Sequence, residues 1–209
     1  MYTPHHFAED RPEALVGLIK KYPLATLITH ALNGLTANLI PFVIGPDSGQ
    51  SLTFYGHLAR GNDQLKDLAQ GNETLLIFQG PDNYVTPTWY ESKKENGKVV
   101  PTWNYMTVQV WGHAVIHDDV SWLGTHVNSL TNTHEAGREN PWLVSDAPDD
   151  FIAKQLKAIV GVEIMVTRME GKWKISQNRT EADREGVIAG MQTEDPNLSA
   201  AMRDYYDSK

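Results

Sequence analysis

There is no cysteine among the 209 residues. That removes disulfide scaffolds, thiolate metal sites and cysteine nucleophiles together. Positive charge is scarce as well: 18 Lys and Arg stand against 26 Asp and Glu, a formal net charge of −8. A surface that holds nucleic acid phosphates by counterion release needs the opposite balance, so direct DNA binding is doubtful. The tight basic cluster Lys93, Lys94 and Lys98 is interleaved with Glu91 and Glu95 and reads as a solvated loop. Long apolar runs and an N-terminal apolar segment are missing too, so nothing encoded here directs the chain into or across a membrane, and the cytoplasm is the default location. His113 and His117 share a strand face without a third partner at metal-binding spacing, so no metal site is expected.

What is present centres on Ser51–Leu68, SLTFYGHLARGNDQLKDL. Leu52, Phe54 and Gly56 alternate with Thr53, Tyr55 and His57, the period of a half-buried strand, while Leu65 and Leu68 suit one face of a short helix. The turn between them presents His57, Arg60 and Asn62, with Gly61 or Asn62 as the cap. Free N–H groups at a helix start beside a guanidinium form a reasonable phosphate cradle. An ordinary capped helix and a solvated arginine would give the same pattern.

Around this stretch the chain reads as follows. A helix after Asp10 and Pro12 carries Leu15, Leu18, Ile19 and Tyr22 and ends at Pro23. Leu24–His30 and Leu35–Ile44 flank Asn33-Gly34, a tight hairpin signal. Gly45–Gln50 is a second turn, and Thr74–Gln79 a buried strand. Gly80–Asn104 repeats Pro-Thr-Trp at Pro87-Thr88-Trp89 and Pro101-Thr102-Trp103, which predicts a long hairpin or lid with an aromatic base where a flat ring could stack. Tyr105–His117 is a long strand. Helices follow Asp118-Asp119 and cover Phe151–Ile159; Val160–Arg168 is a strand that Glu170-Gly171 turns into Trp173–Ser176. Thr180 and Asp183 match a capping box for a helix to about Met191, and Asp195-Pro196 starts a last one. About seven strands with hairpin turns, lacking regular strand and helix alternation, predict a mainly β fold: an antiparallel barrel with peripheral helices. One domain over residues 1–191 and a helical tail over 192–209 are expected.

Five strings, MYTPHHF, FYGHLARGN, LIFQGPDNYVTPTWYESK, VPTWNYMTVQVWG and IVGVEIMVTRMEGKWKISQNRTEADREGVIAGM, resemble the PaiB family, described as FMN-binding negative transcriptional regulators first associated with protease production and sporulation. The resemblance implies the FMN-binding split β-barrel shared with pyridoxamine 5′-phosphate oxidases and flavin reductases, assembled as a homodimer with flavin at the subunit interface. It also sets FYGHLARGN where those oxidases grip the FMN phosphate, with Ala59 in place of a serine and Arg60 at a basic position.

FMN asks for a phosphate cradle, a flat apolar slot and donors at the ring edge that gains negative charge on reduction. His57, Arg60 and Asn62 are candidates for the cradle, Trp89, Trp103 and Tyr105 for the slot, and Gln79, Gln177 and Arg179 for the edge. Three functions compete: a flavin-binding regulator or sensor, an FMN-dependent oxidoreductase, and a haem-binding relative in which a histidine is the axial ligand.

Overall fold

A computed structural model of the chain describes residues 1–32, 34–46 and 52–208. Asn33 of the expected hairpin turn, residues 47–50 of the second turn, and Ser51 lie outside the described residues. Eight strands and seven α-helices are found among those described: β1 (Ala8–Glu9), α1 (Pro12–Lys21), β2 (Leu24–Ala31), β3 (Gly34–Pro41), β4 (Val43–Ile44), β5 (Thr53–Ala59), α2 (Gln64–Leu68), β6 (Glu73–Val85), α3 (Ser92–Asn96), β7 (Thr102–His117), α4 (Val120–Glu135), α5 (Asp149–Lys157), β8 (Ile159–Lys174), α6 (Glu181–Glu194) and α7 (Pro196–Asp207). The strand order is β3-β2-β6-β7-β8-β5-β4, with β1 added to β8. The pairings of β1 with β8, β2 with β3 and β6, and β5 with β4 and β8 are all antiparallel. The expectation of a mainly β, antiparallel fold with peripheral helices is met.

The chain divides into two compact units. One comprises residues 19–78 and 109–169. In it β2 and β3 pair from Leu24↔Pro41 to Ala31↔Gly34, and β5 lies between β4 and β8. The alternation read in β5 holds, with Phe54 and Leu58 buried and Tyr55 and His57 half-buried. Helix α4 starts where Asp119 accepts a hydrogen bond from the Trp122 N–H at 2.8 Å, a side-chain cap for an otherwise unpaired donor.

The other unit comprises residues 1–18, 79–108 and 170–209. Two expectations are corrected here. The Glu170-Gly171 turn does not exist, because β8 continues unbroken to Lys174. Gly171 serves close approach: a Cβ there would lie 2.6 Å from the Glu9 carbonyl and 2.3 Å from the Leu15 side chain, so β1 and α1 could not lie against a larger residue. Helix α6 runs through Met191 to Glu194; Leu198, Met202 and Tyr205 of α7 are buried, and residues 170–209 group with this unit. The segment read as a lid is shorter than expected. β6 runs on to Val85, a single 3-10 turn holds Pro87–Trp89, and α3 precedes β7.

Candidate functional site

The nine sequence-predicted residues fall into the two units, three in one and six in the other. In the unit of β5, the residues after the strand are tied into the fold. Arg60 Nε donates to the Lys157 carbonyl (2.8 Å), and its two terminal nitrogens form a paired contact with Asp118 (2.8 and 2.5 Å), while one also donates to the Ile159 carbonyl at 3.0 Å. Four of five guanidinium N–H groups are thereby engaged, and the pairing with Arg60 holds the Asp118 carboxyl low. Asn62 Oδ1 accepts from the Gln64 N–H at 3.0 Å, the turn-closing role expected of a cap. His57 points to His126 on α4, Nδ1 to Nε2 at 3.0 Å. Burial lowers the basicity of both rings, and His126, which also has His57 beside it, falls to about 4. Trp122 stacks with both His126 and His117, and His117 in turn meets Glu163 at 2.8 Å. His113 instead contacts the Gly71 carbonyl.

In the other unit, three of the predicted residues converge. Gln79 of β6 and Trp103 and Tyr105 of β7 line a shallow depression of about 380 Å³, together with Asp82 and Thr107. The period of two in β7 turns Trp103 and Tyr105 outward while Asn104 and Met106 are buried. Trp103 is 54% exposed, with Tyr84 edge-on to it at 6.2 Å. The Lys172 ammonium lies 5.2 Å from the centre of the Tyr105 ring, and Gln79 Nε2 donates to Asp82 at 2.8 Å.

The other three predicted residues lie elsewhere in this unit. Trp89 lies against α6, where Gly186 and Gly190 make room for its carbonyl and its ring. Gln177 closes the turn after β8, donating to the Trp173 carbonyl (2.5 Å) and accepting from the Ile175 N–H (2.8 Å). Arg179 stacks over Tyr90 at 4.6 Å. Lys172 and Lys174 were missed. Lys172 fell beside the turn read at Glu170-Gly171, and Lys174 fell in the strand read over Trp173–Ser176, where nothing local marks it as more than a strand residue.

Comparison with known proteins bears on the family and the fold. Residues 1–168 match the family model described as "Putative FMN-binding domain". An uncharacterized protein of Emericella nidulans is 36% identical, over 92% of this chain and 90% of its own. The protease synthase and sporulation protein PAI 2 of Bacillus subtilis is 30% identical, over 100% of this chain and 98% of its own. Among solved structures, the FAD and heme binding protein from Mycobacterium smegmatis has a TM-score of 0.60 at 19% identity (88% of this chain, 80% of that one), and the flavocytochrome Anf3 from Azotobacter vinelandii 0.59 at 16% (87% and 76%). These last two speak to the fold alone. A family match across most of the chain and a full-length PaiB-type relative place this chain in the PaiB family.

Proposed function

We propose that this chain binds FMN, with the flavin ring on the outward face of β6 and β7. The observation that carries the reading is Trp103: an indole left more than half exposed, beside Tyr105 and Tyr84 and edged by the Gln79 amide. An aromatic surface with polar groups at its margin suits a flat ring system whose rim hydrogen-bonds. Bound FMN would supply hydride or electron transfer. Trp103 and Tyr105 would provide the apolar contact, Gln79 an amide for the rim, and Lys172 positive charge nearby, which favours a flavin that gains negative charge on reduction.

The role of the flavin follows from what surrounds it. With a net charge of −8, regulation by direct grip on DNA is disfavoured, so a regulator of this type acts through a small molecule or a protein partner. An oxidoreductase needs the same bound flavin and little more. A homodimer is the assembly that fits, since β3 ends the strand order and turns Leu35 and Leu39 to solvent, 76% and 63% exposed; an apolar edge of this kind is normally covered.

The test is a titration of FMN by fluorescence quenching into wild type and Trp103→Ala, preceded by an absorption spectrum of the protein as purified. Loss of an aromatic contact of about 0.5–1.5 kcal/mol predicts roughly two- to tenfold weaker binding in the variant. Equal affinities would remove the ring from this face. A haem band with no flavin uptake would replace the reading altogether.

A further inference from the structure

The same unit contains a second, smaller pocket of about 150 Å³, lined in part by Thr102, Asn104, Lys174, Ser176 and Arg179. By volume it has room for a group of roughly five heavy atoms. Two cations face it, and no carboxylate is among its lining residues. The Lys174 ammonium donates to Thr102 Oγ1 at 2.5 Å and to the Trp103 carbonyl, which leaves one of its three N–H groups for another acceptor. Burial lowers the basicity of Lys174, and Lys172 and Arg179 lower it further, the mark of positive charge without a local counter-ion. The carboxylate that acts on Arg179, Asp183, is itself held by the Ser92 N–H (2.9 Å) and hydroxyl (2.8 Å).

The floor of the pocket is built with unusual care for a surface hollow. Asn104 is wholly buried, and its amide donates to Ser176 Oγ at 3.0 Å. Ser176 is 4% exposed and takes φ of +72°, the one residue other than glycine with positive φ among those described. That conformation costs energy for an L-residue and persists where the surroundings impose it, most often at ligand sites. Here it lets the chain reverse after β8, so that the Arg179 N–H meets the Ser176 carbonyl at 3.0 Å and Lys174 and Arg179 line one cavity.

We propose that this pocket is an oxyanion site that takes a phosphate monoester group, with Lys174 and Arg179 supplying the charge and Thr102 a hydroxyl. The site is defined by its own residues and stands whether or not β6 and β7 carry a flavin. Its occupant is the phosphate of FMN or that of a separate phosphorylated ligand.

The experiment is a calorimetric titration of inorganic phosphate into wild type, Lys174→Met and Arg179→Gln in a phosphate-free buffer, with circular dichroism confirming that each variant is folded. Wild type binds, and each variant binds at least about tenfold more weakly. NMR of 13C-lysine-labelled wild type gives a readout that a merely structural lysine would not move: the titration of Lys174 shifts upward when phosphate is added. No uptake by wild type, equal affinity in all three, or an unmoved Lys174 titration would overturn the proposal. Displacement of phosphate by FMN but not by riboflavin assigns the pocket to the cofactor's tail; phosphate retained beside FMN assigns it to a second ligand. Phosphate uptake without binding of either flavin would separate failure of the flavin reading from failure of this one.

Discussion

His126 is 2% exposed, has His57 at one edge and Trp122 on its face, and its Nδ1 has no hydrogen-bond partner. Protonating it would put a charge on a buried ring against a second imidazole. Its basicity is therefore depressed to about 4 in the folded protein, against 6.5 when the chain is open. The unfolded chain takes up the proton first, so the stabilising contribution is complete above pH 6.5 and is lost as pH falls through 4. At about 1.4 kcal/mol per pH unit this is on the order of 3 kcal/mol. Urea denaturation at pH 7 and pH 4.5 should reveal the loss in wild type and a flatter dependence in His126→Phe; parallel curves would show that another group governs the acid limb. Arg60 makes a contrasting case. With its donors engaged by Asp118 and two carbonyls, Arg60→Ala is expected to leave FMN affinity within about twofold of wild type by fluorescence titration, a difference too small to represent a lost charge-assisted bond.

At the level of elements, the docking of α6 on the 3-10 turn of Pro87–Trp89 depends on two missing methyl groups. A Cβ at Gly190 would sit 2.3 Å from the Trp89 ring, and one at Gly186 only 2.0 Å from the Trp89 carbonyl. Helix propensity favours alanine at either position by about 0.5–1 kcal/mol, but forcing atoms into packed space costs about 1–3 kcal/mol. Both Gly→Ala changes should lower stability in urea denaturation. In a Trp89→Ala background Gly190→Ala becomes neutral or stabilising, whereas Gly186→Ala remains costly because backbone cannot be removed. Helix starts of this kind were legible in the sequence: Asp119, Thr180 and Asp195 cap α4, α6 and α7 through bonds two or three residues away. Strand alternation was legible for the same reason, as in β5 and β7. What escaped notice depends on distant chain. Gly171 looks like a turn until β1 is laid beside it, Asn104 meets Ser176 across 72 positions, and Arg60 meets Asp118 across 58. The three aromatic slot candidates could not be ranked either, since Trp89 and Trp103 sit in identical triplets and only the fold sends one to α6 and the other to solvent.

For the whole molecule, the apolar edge at β3 makes oligomeric state the measurable quantity. Leu39→Glu puts a charge where a second copy would pack, so sedimentation should show a dimer for wild type and a monomer for the variant; the same mass for both would separate Leu39 from any interface. The discontinuous make-up of the two units has a further consequence, for the order in which the chain can fold. The unit of residues 19–78 and 109–169 has all its parts once Met169 has been synthesised, whereas the other contains the first residues of the chain and also needs residues 170–209. During synthesis the N-terminal segment must therefore wait, with β1 uncovered, until the end of β8 and then α6 and α7 emerge. Pairings so far apart along the chain are slow to close, so this late step is where a chaperone would be needed, and where a chain cut short after β8 would stall with one unit formed and the other open.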